Sequence, residues 1–376
     1  MFQEFCRRHT PELLIALFGL IFVAAAFGGV EGEAGAFLAS ALDVALFVIL
    51  AMLVHLAGTR HPAYRRAAII WLFAVVAGLA ITTASLGAVA ILPGEIDPDL
   101  FDPELAATVA LLFLGVFAAG LLSLVGLSRR FRVWLAGYLP FDPDSLLHTV
   151  ALVVILAMIL IPPIPLLVTG IPPYLSPPFI EFLMESGDLL AETVSLNAYT
   201  LFWTLVGSFF IAGAFVRRSP RETLERLGLL LPTWRQVVFA VGAALVLVAA
   251  FHFIDQALTA LVGFLGLPVT DEEAVALLFS GALSLPGIVM ASVAAGFGEE
   301  VSIRGLLQPR FGILLPAILF ASLHAFQYSW DGLISVFLAG IIFGFIRRCS
   351  NTTTSAITHT VYDLVLFSML MAGISV

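Results

Sequence analysis

The chain has 376 residues, of which 61% are hydrophobic and only 11% are charged, and its formal net charge is −9. Soluble domains carry about 25% charged residues, so this composition excludes an ordinary soluble globular protein. All 17 basic residues are arginines, and they are scattered over short connections instead of forming one basic stripe. That distribution argues against a nucleic-acid partner and favours a lipid environment.

Hydrophobic windows of about the 20 residues that a membrane-spanning helix needs recur along the chain. Each is interpreted as a helix, because a helix satisfies its own backbone hydrogen bonds in lipid. The predicted fold is all-α, a polytopic membrane helical bundle of about 11 transmembrane helices. The windows are 12–30, 36–57, 67–92, 106–127, 147–170, 197–216, 236–265, 284–306, 312–327, 332–347 and 353–375.

The fifth window runs into the proline-rich segment 161–178, which is predicted to be irregular because proline interrupts a helix. The fifth span should therefore end near Ile161.

The arginines predict the orientation of the bundle. They occupy the N-terminus and every second connection, whereas intervening connections such as 93–105 and 185–192 are acidic. The positive-inside rule then places the N-terminus in the cytoplasm. We expect a multi-pass protein of a cytoplasmic membrane, and the arginine-only composition is typical of a GC-rich prokaryote.

One polar connection divides the chain. In the segment 217–235, Ser219, Pro220 and Glu222 fit an N-cap, a first-turn proline and a capping-box acid, which predicts a cytoplasmic interfacial linker helix. The resulting division is an N-terminal membrane region of about six helices with no predicted function (1–216), the linker helix (217–235) and a core of about five helices (236–376).

Ionisable residues are concentrated in three of the last spans. At about 3 kcal/mol for each group charged at neutral pH, central placement without partners would cost on the order of 10 kcal/mol. Mutual pairing or a water-filled cavity must compensate, so the three helices should face one another. The residues are Glu299, Glu300, Arg304, His324, His359 and Asp363.

The spacing of these residues predicts pairs. Glu300 and Arg304 are four apart and should form an ion pair on one helix face, whereas Glu299 lies about 100° around the helix without an obvious partner. His359 and Asp363 repeat the four-residue spacing in the last span. If these faces converge, a carboxylate and two imidazoles become available to activate water and to hold an oxyanion.

Three motifs in this order carry a family resemblance. The stretch "GFGEEVSIRGLL", which starts at Gly296, contains the pattern Glu-Glu-x-x-x-Arg, and it is followed by "FASLH" (320–324) and "HTVYD" (359–363). They resemble the CAAX-protease and bacteriocin-processing (CPBP) family of intramembrane proteases, over roughly residues 220–372. The resemblance implies an intramembrane endopeptidase that hydrolyses a peptide bond of a membrane-associated or lipid-anchored protein or peptide.

The resemblance also implies residue roles. Glu299 would be the general base that activates water, His324 would assist it and the departing amine, and Glu300 and Arg304 would be structural. His359 and Asp363 would polarise the scissile carbonyl and stabilise the oxyanion. An ionised carboxylate accepts but cannot donate hydrogen bonds. Either Asp363 is protonated in the site, or it orients His359 and leaves the imidazolium as the donor, and the second alternative is favoured.

Three alternatives stay open. Glu299, His324 and His359 form a ligand set that zinc would accept, although a mechanism without metal or other cofactor is favoured. A non-proteolytic immunity or regulatory membrane protein of the same family is the second alternative. A transporter is the third, and it is disfavoured because transporter sites usually draw on symmetry-related broken helices from both halves of the chain.

The expected partners are a membrane protein or peptide substrate and the lipid bilayer. In a prokaryote, prenylated CAAX tails are not expected, so a cytoplasmic-membrane protein, a leader or a bacteriocin precursor is favoured as substrate. The sequence contains no signal for an oligomeric state.

Overall fold

The computed structural model describes residues 2–58, 61–92, 103–185 and 189–374. Residues 93–102 and 186–188 of the two acidic connections lie outside the described residues. Within those ranges the regular elements are helical, and the single strand-like pairing is an isolated bridge between Ala214 and Arg218. The all-α prediction is therefore confirmed. The α-helices are α1 (Phe2–Phe27), α2 (Gly32–Ala39), α3 (Leu42–Ala57), α4 (Ala63–Ile91), α5 (Pro103–Ser123), α6 (Arg129–Ala136), α7 (Leu146–Leu160), α8 (Ile164–Thr169), α9 (Pro177–Glu185), α10 (Leu189–Ile211), α11 (Pro220–Leu227), α12 (Trp234–Phe264), α13 (Glu272–Leu278), α14 (Leu285–Glu299), α15 (Gln308–Phe311), α16 (Leu314–Leu323), α17 (Trp330–Cys349) and α18 (Thr352–Met371).

Four short 3₁₀ turns and one π-helical turn complete the regular structure of the described residues. The 3₁₀ turns are Leu124–Leu127, Pro173–Leu175, Ser280–Ala282 and His324–Phe326, and the π-helical turn is Glu300–Gly305.

Every hydrophobic window of the sequence contains a helix, but fewer helices than windows qualify as membrane spans. In the described part of the chain, seven helical segments are long and apolar enough to cross a membrane, or eight if the bent pair α2 and α3 is one span. The predicted count of about 11 is not confirmed. The difference lies partly in α14 and α16, which have 15 and 10 residues and are shorter than a straight span requires.

The proline-rich segment after α7 is more ordered than predicted. Helix α7 ends at Leu160 with Ile161 as its C-cap, which agrees with the predicted end of the fifth span. Helix α8 follows at once, because prolines are tolerated in the first turn of a helix. Gly170 then ends α8 in the left-handed conformation at φ +73°.

The linker contains the predicted capping box but a shorter helix. The Ser219 hydroxyl accepts a hydrogen bond from the Glu222 amide, and the Glu222 carboxylate accepts one from the Ser219 amide at 2.7 Å. Helix α11 starts at the predicted position and covers Pro220–Leu227, so it occupies only part of the segment 217–235. Gly228, left-handed at φ +72°, ends the helix there.

Helices of the first 216 residues pack directly against the helices that carry the ionisable residues. Helix α10 lies against α14, and α7 lies against α16. Leu152 and Ile155 of α7 share one buried apolar cluster with Ile303, Leu319 and Phe320. Helices α12 and α17 cover α18 from another side, so α14, α16 and α18 are enclosed within the bundle.

Candidate active site

Glu299 and Glu300 lie at a change of helix type. Glu299 is the last residue of α14, and Glu300 begins the π-helical turn. A π-helical turn widens the helix locally, and such turns are frequent at functional sites. Here it directs the two adjacent carboxylates into different surroundings: the Glu299 side chain is 33% exposed, and that of Glu300 is fully buried.

Glu300 and Arg304 form a buried ion pair. The distance from Arg304 Nη1 to Glu300 Oε1 is 3.0 Å, and the Arg304 side chain is 1% exposed. The guanidinium lies over the Phe320 ring at 4.2 Å from its centroid, and Nη2 donates to the Gly340 carbonyl at 3.3 Å. A buried charge is tolerated only with such compensation, so this pair, expected from its spacing, holds three helices together.

Glu300 has a second set of partners on α18. The Ser355 hydroxyl lies 2.6 Å from Glu300 Oε2, and His359 Nδ1 lies 3.3 Å from Glu300 Oε1. Both oxygens of Glu300 are thus engaged. Glu300 does more than pair with Arg304, because it also anchors the imidazole of His359.

Sequence reasoning missed Ser355. It precedes His359 by four residues and therefore shares its helix face, which is the spacing that paired the other site residues. That signal was present in the sequence. The distance between Ser355 and Glu300, 55 residues apart in the chain, depends on how α14 and α18 pack.

His359 lies among three carboxylates. Its Nε2 atom is 3.4 Å from Asp363 Oδ2 and 3.9 Å from Glu299 Oε2, while Nδ1 faces Glu300. The ring stacks on Phe343 at 4.4 Å between centroids and is 5% exposed. This packing fixes the orientation of the ring, so both of its nitrogens point at carboxylates.

His324 is held by the backbone of its own helix. It follows the last residue of α16 and opens a 3₁₀ turn, and its Nδ1 lies 2.8 Å from the Phe320 carbonyl. A carbonyl oxygen only accepts hydrogen bonds, so Nδ1 carries a proton, and in the neutral form of the ring the lone pair lies on Nε2. Tyr328, one turn further on, stacks with the ring at 6.1 Å.

The Phe320 ring connects the two histidines. Its centroid lies 4.8 Å from that of His324 and 5.9 Å from that of His359, and it also carries Arg304 on its face. The three helices that bear the motifs therefore meet at one place. All six predicted site residues belong to that place, since each contacts Phe320, His359 or Glu300.

Zinc coordination by Glu299, His324 and His359 was the alternative to a metal-free site. Among the residues that the structure describes, no group of three or more histidine, cysteine, aspartate or glutamate side chains is arranged to hold a metal ion.

Comparison with protein families gives a match at this site. Residues 281–365 match the family model described as Type II CAAX prenyl endopeptidase Rce1-like. This region is similar to the Rce1-like family. The match agrees with the family indicated by the motifs, includes all six site residues, and is narrower than the 220–372 over which the motifs suggested a resemblance.

The match over residues 281–365 supports a membrane endopeptidase in general. The apolar helices fit a multi-pass membrane protein. No curated protein and no solved structure matches the chain. The helices before residue 281 lie outside the matched region.

Proposed function

We propose that the protein is an intramembrane endopeptidase that uses Glu299 as the general base for attack by water on a peptide bond. The observation that carries this proposal is the contrast between the adjacent carboxylates. Glu300 is fully buried with both oxygens engaged, whereas a third of the Glu299 side chain is exposed. Only Glu299 can reach a water molecule and a substrate.

In the proposed reaction, the Glu299 carboxylate takes a proton from water while the water oxygen bonds to the scissile carbonyl carbon. The carbonyl electron pair moves to oxygen, and the resulting oxyanion accepts a hydrogen bond from His359 Nε2, which the oxyanion shares with Asp363. When the C–N bond breaks, the proton held by Glu299 passes to the departing amine, assisted by the lone pair on His324 Nε2. The products are a carboxylic acid and an amine.

Asp363 has a positioning role in this scheme. A carboxylate cannot donate a hydrogen bond to an oxyanion, but Asp363 Oδ2 lies 3.4 Å from His359 Nε2. It holds the ring in place and balances the charge of the imidazolium that donates to the oxyanion. Glu300 and Arg304 support the same ring from its Nδ1 side.

The proposed substrate is a membrane-associated or lipid-anchored protein or peptide of a prokaryotic cytoplasmic membrane. Glu299 and Glu300 lie at the arginine-rich end of α14, and His359 lies in the half of α18 next to Arg347 and Arg348, which supports access from the cytoplasmic side.

The test is cleavage by the purified protein in lipid. A library of membrane-anchored peptides, with and without a prenylated CAAX tail, would be digested by wild type, by Glu299→Gln and by Glu273→Gln, which changes an exposed glutamate of α13. We expect Glu299→Gln alone to lose cleavage by at least about 100-fold, the order reached when a general base is removed. Each digestion is repeated with a strong chelator, and unchanged activity is the expected result.

Loss of activity with chelator would overturn the metal-free mechanism and favour zinc at Glu299, His324 and His359. If every peptide cleaved by the wild type is also cleaved by Glu299→Gln, or if the wild type cleaves none, the endopeptidase proposal fails. A folded Glu299→Gln protein that still changes a cellular phenotype would then favour the immunity or regulatory alternative.

A further inference from the structure

The linker (217–235) is tied to the end of the π-helical turn through the last turn of α11. Arg226 Nη1 donates to the Gly305 carbonyl at 2.8 Å, and Arg226 Nη2 donates to the Leu306 carbonyl at 3.2 Å. The last carbonyls of a helical segment lack donors within the helix, and a cation there also complements the helix dipole. One guanidinium therefore supplies hydrogen-bond donors to the last carbonyls of the segment that carries Glu300 and Arg304.

The same linker is tied to the start of α18. The Thr352 hydroxyl donates to the Leu227 carbonyl at 2.6 Å, and the Thr353 amide donates to the Gly228 carbonyl at 3.3 Å. The Leu230 amide in turn donates to the Thr353 hydroxyl at 3.1 Å. Residues 226–230 thus bridge two helices that are far apart in the chain.

Gly228 permits this close approach. A Cβ atom at this position would lie 3.2 Å from the Thr352 amide nitrogen and 3.3 Å from its Cβ, and the left-handed φ of +72° already disfavours other residues. The bridge is consequently short and stiff.

Both ends of the bridge lie close to the site. Gly305 directly follows Arg304, and Thr352 precedes Ser355 by three residues and His359 by seven, or about one and two helical turns. Because a helix transmits a displacement at its end along its axis, the bridge controls the separation between the π-helical turn and α18. That separation determines the 3.3 Å contact between Glu300 and His359.

We propose that Arg226 and Thr352 are positioning residues that hold the π-helical turn and α18 in the register required for catalysis. The inference rests on the proposed endopeptidase function for its kinetic readout. Burial, followed by the neighbouring Arg218, Arg310 and Arg347, lowers the pKa of Arg226 to about 10. The guanidinium therefore remains charged at neutral pH and keeps both hydrogen bonds.

The kinetic test compares Arg226→Gln, Arg226→Lys and Thr352→Val with matched controls in lipid. Arg221→Gln is the control for Arg226, because Arg221 lies on the same helix, is 90% exposed and pairs with Glu225. Thr352→Ser is the control for Thr352, because it keeps the hydroxyl. We expect Arg226→Gln and Thr352→Val to lower kcat about 10- to 100-fold with KM within about threefold, since misplacement of the catalytic groups affects mainly the chemical step.

The expected order among the variants is specific to positioning. Arg226→Lys should fall between wild type and Arg226→Gln, because one ammonium cannot match the fork of a guanidinium. Thr352→Ser and Arg221→Gln should resemble wild type. Equal kcat in wild type, Arg226→Gln and Thr352→Val would overturn the proposal, as would an equal loss in Thr352→Ser and Thr352→Val.

Amide hydrogen exchange gives a readout that does not depend on activity. Exchange in peptides covering 299–306 and 352–359 should rise in Arg226→Gln and stay unchanged in Arg221→Gln. If the wild type has no Glu299-dependent cleavage, the endopeptidase proposal fails while this exchange measurement still decides whether the bridge exists. Unchanged exchange in Arg226→Gln would overturn the bridge itself.

Discussion

Replacement of Gly296 by alanine tests whether the close packing of α14 on α18 is required. Gly296 is buried on α14, one turn before Glu299 and Glu300, and it faces Thr360 of α18. A Cβ atom at Gly296 would lie 2.6 Å from the Thr360 amide nitrogen and 2.9 Å from its Cα. These are backbone atoms, so no rotamer change can relieve the overlap.

The magnitude follows from these distances. Ordinary van der Waals contact begins near 3.4 Å, so the two helices must separate locally by roughly 0.8 Å to admit the methyl group. Overpacking of this kind typically costs about 1–3 kcal/mol, of which the better helix propensity of alanine returns up to about 1 kcal/mol. A displacement near 1 Å at catalytic groups can cost about 100-fold in rate.

The assay combines unfolding in detergent with peptide cleavage in lipid. We expect Gly296→Ala to lower the free energy of unfolding by up to about 2 kcal/mol and kcat by about 10- to 100-fold. Gly242→Ala on α12 is the control, because a Cβ atom there meets nothing within 4 Å. A Gly296→Ala protein with the stability and activity of Gly242→Ala would refute the reasoning from helix separation.

Two further substitutions probe the buried network. Arg304→Met should destabilise the protein by about 3–5 kcal/mol, because it leaves the Glu300 carboxylate buried without its cation, and an unfolding midpoint close to wild type would contradict this. Ser355→Ala should cost about 1.5–3 kcal/mol, since it removes a hydrogen bond to a charged acceptor. Ser368→Ala, which removes a hydroxyl that bonds only within α18, is the matched control and should cost clearly less in the same unfolding assay.

The pairing within each helix could be predicted from the sequence, because neighbours on one helix face are fixed by the 3.6-residue period. The ion pair of Glu300 with Arg304 and the proximity of His359 to Asp363 follow from that period. The change to π-helical geometry at Glu300 does not, since one additional residue per turn leaves the sequence pattern almost unaltered.

The sequence predicted only in general terms which helices contact each other. The concentration of charges predicted that the three helices face one another, but not which partner each carboxylate takes. The sequence left Glu299 without an obvious partner, whereas His359 Nε2 lies 3.9 Å from it. Helix separation depends on small residues such as Gly296 and on the bridge at Arg226, and neither effect can be read from the period of one helix.

The three helices that carry the site residues are also the ones that do not qualify as spans. Helices α14 and α16 have 15 and 10 residues, and none of α14, α16 and α18 is among the seven segments that qualify as spans in the described chain. Helices α10, α7, α12 and α17 pack against them, and Glu300, Arg304 and His359 are buried. Since a charged group cannot face hydrocarbon without cost, we expect the contacts of α7 and α10, which belong to the first 216 residues, to contribute to the stability of the site.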